Sequence, residues 1–175
     1  GWDAISVQDL CERANIGRST FYAHYQSKDA LLIGGLDDLK SELQHQAKMR
    51  THHDKGQGSL SPGRLSFALG LIEHVNENRK VFRGMIGRRG GYVMQQRFRD
   101  MVTRLVAEEL PKFTPESKST AVPPQATARW LAGAFVELLT WWIEQPSTLP
   151  PHELVTLVDK LSTSAFVGMP PKATR

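Results

Sequence analysis

The chain has 175 residues, 22 Lys and Arg against 18 Asp and Glu, a formal net charge of +4 and a single cysteine. That length buries a sound core in one compact unit or two small ones. The absence of a long apolar run and of a signal-peptide pattern argues against a membrane span or export. One cysteine, Cys11, excludes an intramolecular disulfide and fits a reducing compartment, so the cytoplasm is the expected location.

The first element predicted is a short helix capped by Ser6, with Asp9 three residues on to complete a capping-box-like pair. Val7, Leu10, Cys11 and Ala14 recur on one face, so Cys11 reads as a small core residue. Asn15-Ile16-Gly17 breaks the pattern, and both Asn and Gly tolerate a left-handed backbone. A second helix, from about Arg18 to Tyr25, carries Arg18, Ser19, Thr20, Tyr22 and His24 opposite Phe21 and Tyr25. Those two aromatics are expected to turn inward with Leu31. The pair is a helix-turn-helix whose second helix has the chemistry to enter a major groove. A third helix runs from Ser27 to about Arg50, with Leu31, Leu32, Leu36, Leu39 and Leu43 as its apolar stripe.

Thr51 to Gly63 reads as a flexible loop. His52-His53 lacks a Cys or carboxylate at ligand spacing, so no metal is expected. Ser61-Pro62 is a good helix start, and the helix continues to about Asn78 with Leu65, Leu69, Ile72 and Val75 inward. A short helix spans Arg79 to Ile86. The glycines of Gly87-Arg88-Arg89-Gly90-Gly91 are wrongly spaced for a phosphate loop. The next helix spans Tyr92 to Leu110, with Met94, Phe98, Met101 and Leu105 on one side, and Pro111 to Pro124 reads as a second loop. Pro124 to Gln145 is the most apolar helix, and a last one runs from Pro151 to about Phe166. Two adjacent amphipathic helices at the end suggest a face that pairs with its own copy in a twofold four-helix bundle, through Phe135, Leu138, Leu139, Trp142, Leu154, Leu157, Val158 and Leu161. The competing reading makes both helices the core of a monomer.

Three segments, Gly1 to Val7, Ala14 to Tyr25 and Ser27 to Leu32, together closely resemble the DNA-binding region of TetR-family transcriptional regulators. The resemblance covers roughly the first fifty residues and matches the rest only as a run of helices. It implies an all-α fold, with a DNA-binding head and connecting helix over residues 1–50 and a larger effector-binding and dimerisation body over 51–175. It also implies a family helix before Gly1, packing on Phe21, Leu10 and Leu31. Matching positions that meet DNA in the family are Ser6, Gln8, Arg18, Ser19, Thr20, Tyr22, His24 and Lys28. Arg18 is the candidate for a guanine edge, and Lys28 is a point charge for the phosphate backbone. The resemblance further implies a dimer on a palindromic double-stranded operator, repression as the commoner mode, and release by a small molecule held among the middle helices. Candidates for that pocket are Phe67, Leu71, His74, Phe82, Met85, Met94, Phe98, Met101, Trp130 and Glu137, although ordinary core packing is the better reading for any one of them.

Charge complicates the picture. Residues 1–50 hold six Lys and Arg against seven Asp and Glu, whereas 79–104 hold eight against one, Asp100. Inward-pointing arginines there would imply an anionic effector; a solvated basic face is the favoured alternative. No triad, dyad or metal-ligand spacing supports an enzyme, and no cofactor is expected. A near-neutral head keeps a second function open, that of a helical protein-binding adaptor retaining the helix-turn-helix only for packing.

Overall fold

The computed structural model describes residues 2–53, 64–87, 91–113, 122–145 and 149–167. They form a 3-10 turn, Trp2–Ala4, and eight α-helices: α1 (Val7–Ala14), α2 (Arg18–His24), α3 (Lys28–His53), α4 (Ala68–Glu77), α5 (Arg79–Ile86), α6 (Tyr92–Phe113), α7 (Pro124–Glu144) and α8 (Pro151–Val167). Among the described residues there is no strand, and no helix is long and apolar enough to cross a membrane.

The capping box at Ser6 forms as expected. Its hydroxyl accepts from Asp9 N at 3.1 Å and its own N–H donates to Asp9 Oδ2 at 2.7 Å. Asn15 ends α1 at φ 52°, while Gly17, at φ −74°, takes ordinary extended backbone. Only Asn15 therefore uses the left-handed region, where a short polar side chain is tolerated. Phe21 is buried at 3% exposure, but Tyr25, expected beside it in the core, is 36% exposed. Tyr25 follows the last residue of α2 on extended backbone, which swings its ring outward to lie 5.8 Å from the Phe21 ring.

The 26 residues of α3 join head to body. Its Leu36, Leu39, Leu43 and Ala47 are buried, while Leu31 and Leu32 are half-buried. α3 continues to His53, past the expected end at Arg50, and the rest of the expected Thr51–Gly63 loop lies outside the described residues. The helix predicted from Ser61-Pro62 begins instead at Ala68; Ser61 and Pro62 also lie outside the description. Ahead of α4, the buried Glu109 carboxylate of α6 takes both the Ser66 N–H, at 2.8 Å, and the Ser66 hydroxyl, which holds a turn there. α6 runs through Pro111 to Phe113 rather than stopping at Leu110. Pro111 is exposed, and the carbonyl that loses its helical partner belongs to Ala107, also an exposed residue. Of the expected second loop, 114–121 lie outside the described residues, as do Arg88, Arg89 and Gly90.

In the body, α6 packs most extensively on α7, α8 lies on α4, and α3 lies on α6 and α4. Leu71, Ile72, Phe98, Val102, Ala132 and Ile143 form part of a continuous core among the described residues. Gly70 allows the close approach of α4 to α3: a methyl there would come 3.0 Å from Leu43 Cδ2.

Candidate nucleic-acid interface and body cavities

The exposed side chains of α2 form a ridge. Arg18, Ser19, Thr20, Tyr22 and His24 are all exposed, while Phe21 anchors the helix from below, edge-on to Tyr22 at 5.4 Å between centroids. The spacing explains this: Phe21 alone of these residues is buried, α2 packs on α1, which buries Cys11, and the residues around Phe21 turn outward. Ser6 and Gln8 are exposed at the start of α1 but already engaged. The Ser6 hydroxyl donates to Asp9 Oδ2 at 2.7 Å, and Gln8 Nε2 donates to Glu12 Oε1 at 2.9 Å. The hydrogen bonds from Ser6 hold the Asp9 carboxyl below its ordinary range.

Lys28 is placed differently from the other seven expected DNA-contacting residues. It is half-buried, its Nζ donates to the carbonyls of Trp2 at 3.1 Å and Ile5 at 2.9 Å, and it sits 5.7 Å from the centroid of the Trp2 ring. Trp2 Nε1 in turn donates to Asp29 Oδ1 at 3.0 Å. Nothing in the sequence pattern signalled that Trp2 and Lys28 would meet.

In the body, the expected pocket residues separate. Leu71, Phe82, Met94, Phe98 and Met101 are buried in the continuous core and pack against one another. His74 is half-buried, edge-on to Phe82 at 5.6 Å, and Met85 packs on the core edge. Phe67 lines a cleft of about 300 Å³ between α3 and α6, with Gln44, Ala47, Lys48, Leu105, Glu108 and Glu109. Lys40 Nζ pairs with Glu108 Oε1 at 2.9 Å, and Gln44 Nε2 donates to Glu108 Oε2 at 2.5 Å, so α3 and α6 are tied at the cleft rim. Partial burial works against the Glu108 charge, but those hydrogen bonds and the Lys40 and Lys48 charges outweigh it and hold its carboxyl below the usual range.

Trp130 and Glu137 belong elsewhere, to an apolar groove of about 480 Å³ between α7 and α8. Phe135, Leu138, Val158 and Leu161, four of the eight expected pairing residues, line the same groove. Leu157 is half-buried against the core. Leu139, Trp142 and Leu154 are a correction: all are fully buried within the protomer, so no surface contact reaches them. α7 is apolar around most of its circumference, and its inner face covers α6 while Trp130 and Trp141 remain on the outer one.

The basic run of 79–104 also divides. Arg97, Arg99 and Arg104 are exposed, in keeping with the solvated face. Arg79 and Arg83 take a third role that the sequence did not suggest: they close the C-terminus of α7. Arg79 Nη2 donates to the carbonyls of Trp142 and, at 3.0 Å, Gln145, with its guanidinium 4.6 Å from the Trp142 ring centroid. Arg83 bonds the Ile143 carbonyl through Nε at 3.0 Å and Nη2 at 2.7 Å. Partial burial and then the Arg83 charge lower the Arg79 pKa. Cations at a helix C-terminus satisfy its last carbonyls and oppose its dipole.

Among the described residues no group of three or more His, Cys, Asp or Glu is placed to hold a metal. The side chains of His52 and His53 lie outside that description.

A family model described as a transcriptional regulator C-terminal region matches residues 65–164, and one described as bacterial regulatory proteins, tetR family, matches residues 1–34. No curated protein sequence matches the chain. Among solved structures, a TetR transcriptional regulator from Streptococcus agalactiae is 24% identical at TM-score 0.59, over 90% of this chain and 81% of that one. A TetR-family regulator from Syntrophomonas wolfei is 16% identical at TM-score 0.72, over 96% and 87%. A third, from Pectobacterium atrosepticum, is 17% identical at TM-score 0.52, over 98% and 88%. At these identities the likeness establishes the fold.

Proposed function

The chain belongs to the TetR family of transcriptional regulators, and from that premise we propose that it is a cytoplasmic repressor that binds a palindromic operator as a homodimer and leaves it when a small molecule binds the body. The observation that carries this reading is the ridge of α2: Arg18, Ser19, Thr20, Tyr22 and His24 exposed together above the buried Phe21. Arg18 reads a base edge through its paired guanidinium donors, and Tyr22 and His24 meet phosphate or a thymine methyl. Ser6 and Gln8 stand at the N-terminus of α1, where a phosphate is favoured. Lys28 acts by holding the head together.

Two heads must sit about one helical turn apart, on the order of 34 Å, to read a palindrome. The second copy docks on the α7–α8 groove, whose rim leaves Trp130, Trp141 and Leu161 at 59%, 47% and 56% exposure. Exposed apolar area of this kind marks a contact surface. Of the cavities, the cleft at Phe67 touches α3, the helix that carries the head, so an occupant there acts directly on head position. DNA and effector then select different settings of α3, with a coupling of about 1–3 kcal/mol that is reciprocal between the two ligands.

Selection from a pool of random duplexes tests the reading. It should enrich a palindrome, bound with an affinity that falls steeply with salt. No enriched sequence and a shallow salt slope would instead favour the protein-binding adaptor.

A further inference from the structure

The outer face of α7 carries a charge pattern that is complementary to its own copy. Arg129, Gly133, Glu137 and Trp141 follow one another at intervals of four residues and so form a single ridge of the helix surface. Arg129 and Glu137 are both exposed, and neither side chain has a hydrogen bond or ion pair among the described residues. Glu137 nevertheless lines an apolar groove, with Trp130, Ala134, Leu138 and Trp141 around it. A second protein copy laid on that groove would strip water from the carboxylate, which is costly without a cation.

The cation is supplied by symmetry. Gly133 stands midway between Arg129 and Glu137, each about 6 Å away along the helix at the ordinary rise. A twofold axis at Gly133 brings Glu137 of each copy level with Arg129 of the other. A Cβ added to Gly133 would meet nothing within 4 Å, so the outer side of the crossing point is open to another backbone.

We infer that α7 pairs antiparallel with its copy about a twofold axis at Gly133, closed by two reciprocal ion pairs between Arg129 of one protomer and Glu137 of the other. This rests on the dimer proposed above and identifies what sets its register. The pairing gives specificity as well as affinity, since a shift of one helical turn along the ridge leaves a carboxylate facing apolar surface.

The test is charge reversal, read as the dimer dissociation constant by sedimentation equilibrium, with a thermal melt of each variant to confirm folding. Arg129→Glu and Glu137→Arg should each weaken the dimer by at least about tenfold, because each sets two like-charge pairs in contact. The double variant R129E/E137R should return to within about threefold of the parent, since symmetry restores both pairs. Single reversals without effect, or a double variant no tighter than the singles, would overturn the pairing while leaving a dimer in place. Rescue of Glu137→Arg by Arg99→Glu instead would also overturn it, assigning Glu137 to the polar cleft it shares with Arg99. A parent protein that stays monomeric at micromolar concentration defeats the dimer itself.

Discussion

The Lys28 ammonium lies 5.7 Å from the centroid of the Trp2 ring and donates to the Trp2 carbonyl at 3.1 Å. A lysine in the first turn of a helix is repelled by the positive end of the helix dipole. Here it is held by carbonyls and a π-face, and Asp29 beside it accepts from Trp2 Nε1. The start of α3 therefore grips the turn that leads into α1. On the function proposed above, a rotation of α3 would carry that turn with it.

Replacing Lys28 with Met should lower DNA affinity without changing its salt dependence. The side chain acts by holding the turn, so no phosphate counterion is released through it. The measurement is the slope of log K against log salt for parent and variant. A slope shallower by about one would return Lys28 to direct phosphate contact.

Arg18→Ala should cost about 1–3 kcal/mol of binding and relax preference at one base pair of each half-site, because a bidentate base contact is lost. Tyr22→Phe should weaken binding to all sequences alike if the hydroxyl meets phosphate. Competition binding against single-base operator variants separates the two patterns. An Arg18→Ala protein with unchanged base preference would remove Arg18 from the reading face.

Arg83→Ala should lower stability by about 1 kcal/mol, and Arg79→Ala by about 1–2 kcal/mol, since the first loses charged hydrogen bonds and the second also loses its stack on Trp142. Arg83→Lys should recover only part, lacking the planar fork that gives two donors to Ile143 O. Urea denaturation of the three variants checks this order. Stability of all three equal to that of the parent would mean that the α7 carbonyls are served as well by water.

Local chemistry was legible in the sequence and distant pairing was not. Ser6 and Asp9 sit three residues apart, so the capping box followed from spacing alone, as did the outward ridge of α2 around Phe21. Leu139, Trp142 and Leu154 lie inside the protomer rather than on a pairing face for a physical reason. Periodicity finds the apolar faces of a helix, but α7 has apolar residues on more than one side, and only the position of α6 decides which side is covered. Arg79 and Arg83 look like members of a charge run in the sequence because their partners lie some sixty residues away. Tyr25 leaves the inward face because α2 ends one residue before it.

Acid should act on three carboxyls in two directions. Asp9 and Glu108 have depressed pKa values in the folded state, so their stabilising contributions are present above the unfolded pKa and are lost as pH falls through the folded one. Asp159 is opposite: burial raises its pKa, with the Arg64 charge at 3.3 Å opposing, and its buried Oδ1 has no hydrogen-bond partner among the described residues. The folded state thus binds its proton more tightly, and this group adds stability as pH falls from above its folded pKa toward its unfolded one. Thermal melts across the acid range should show Glu108→Gln flattening the loss of stability and Asp159→Asn steepening it. Matching profiles for both variants and the parent would show that neither Glu108 nor Asp159 is linked to folding.

The turn between α1 and α2 offers two substitutions with opposite signs. Gly17 precedes α2 at φ −74° and ψ 152°, and no side chain caps that helix start. A Cβ at Gly17 would meet Ser19 Oγ at 3.5 Å and Thr20 Oγ1 at 3.8 Å, which are ordinary contacts. Gly17→Ser should therefore fit without strain, add a cap worth a few tenths of a kcal/mol, and restrict the unfolded chain by about 0.4–1 kcal/mol. Asn15 differs because its φ of 52° lies in the left-handed region. Asn15→Val should cost about 1–2 kcal/mol there, since its branched Cβ crowds the following carbonyl. Thermal melts should move up by a few degrees for the first variant and down for the second. A Gly17→Ser protein less stable than its parent would mean that the turn rearranges on substitution, and with it the presentation of Arg18.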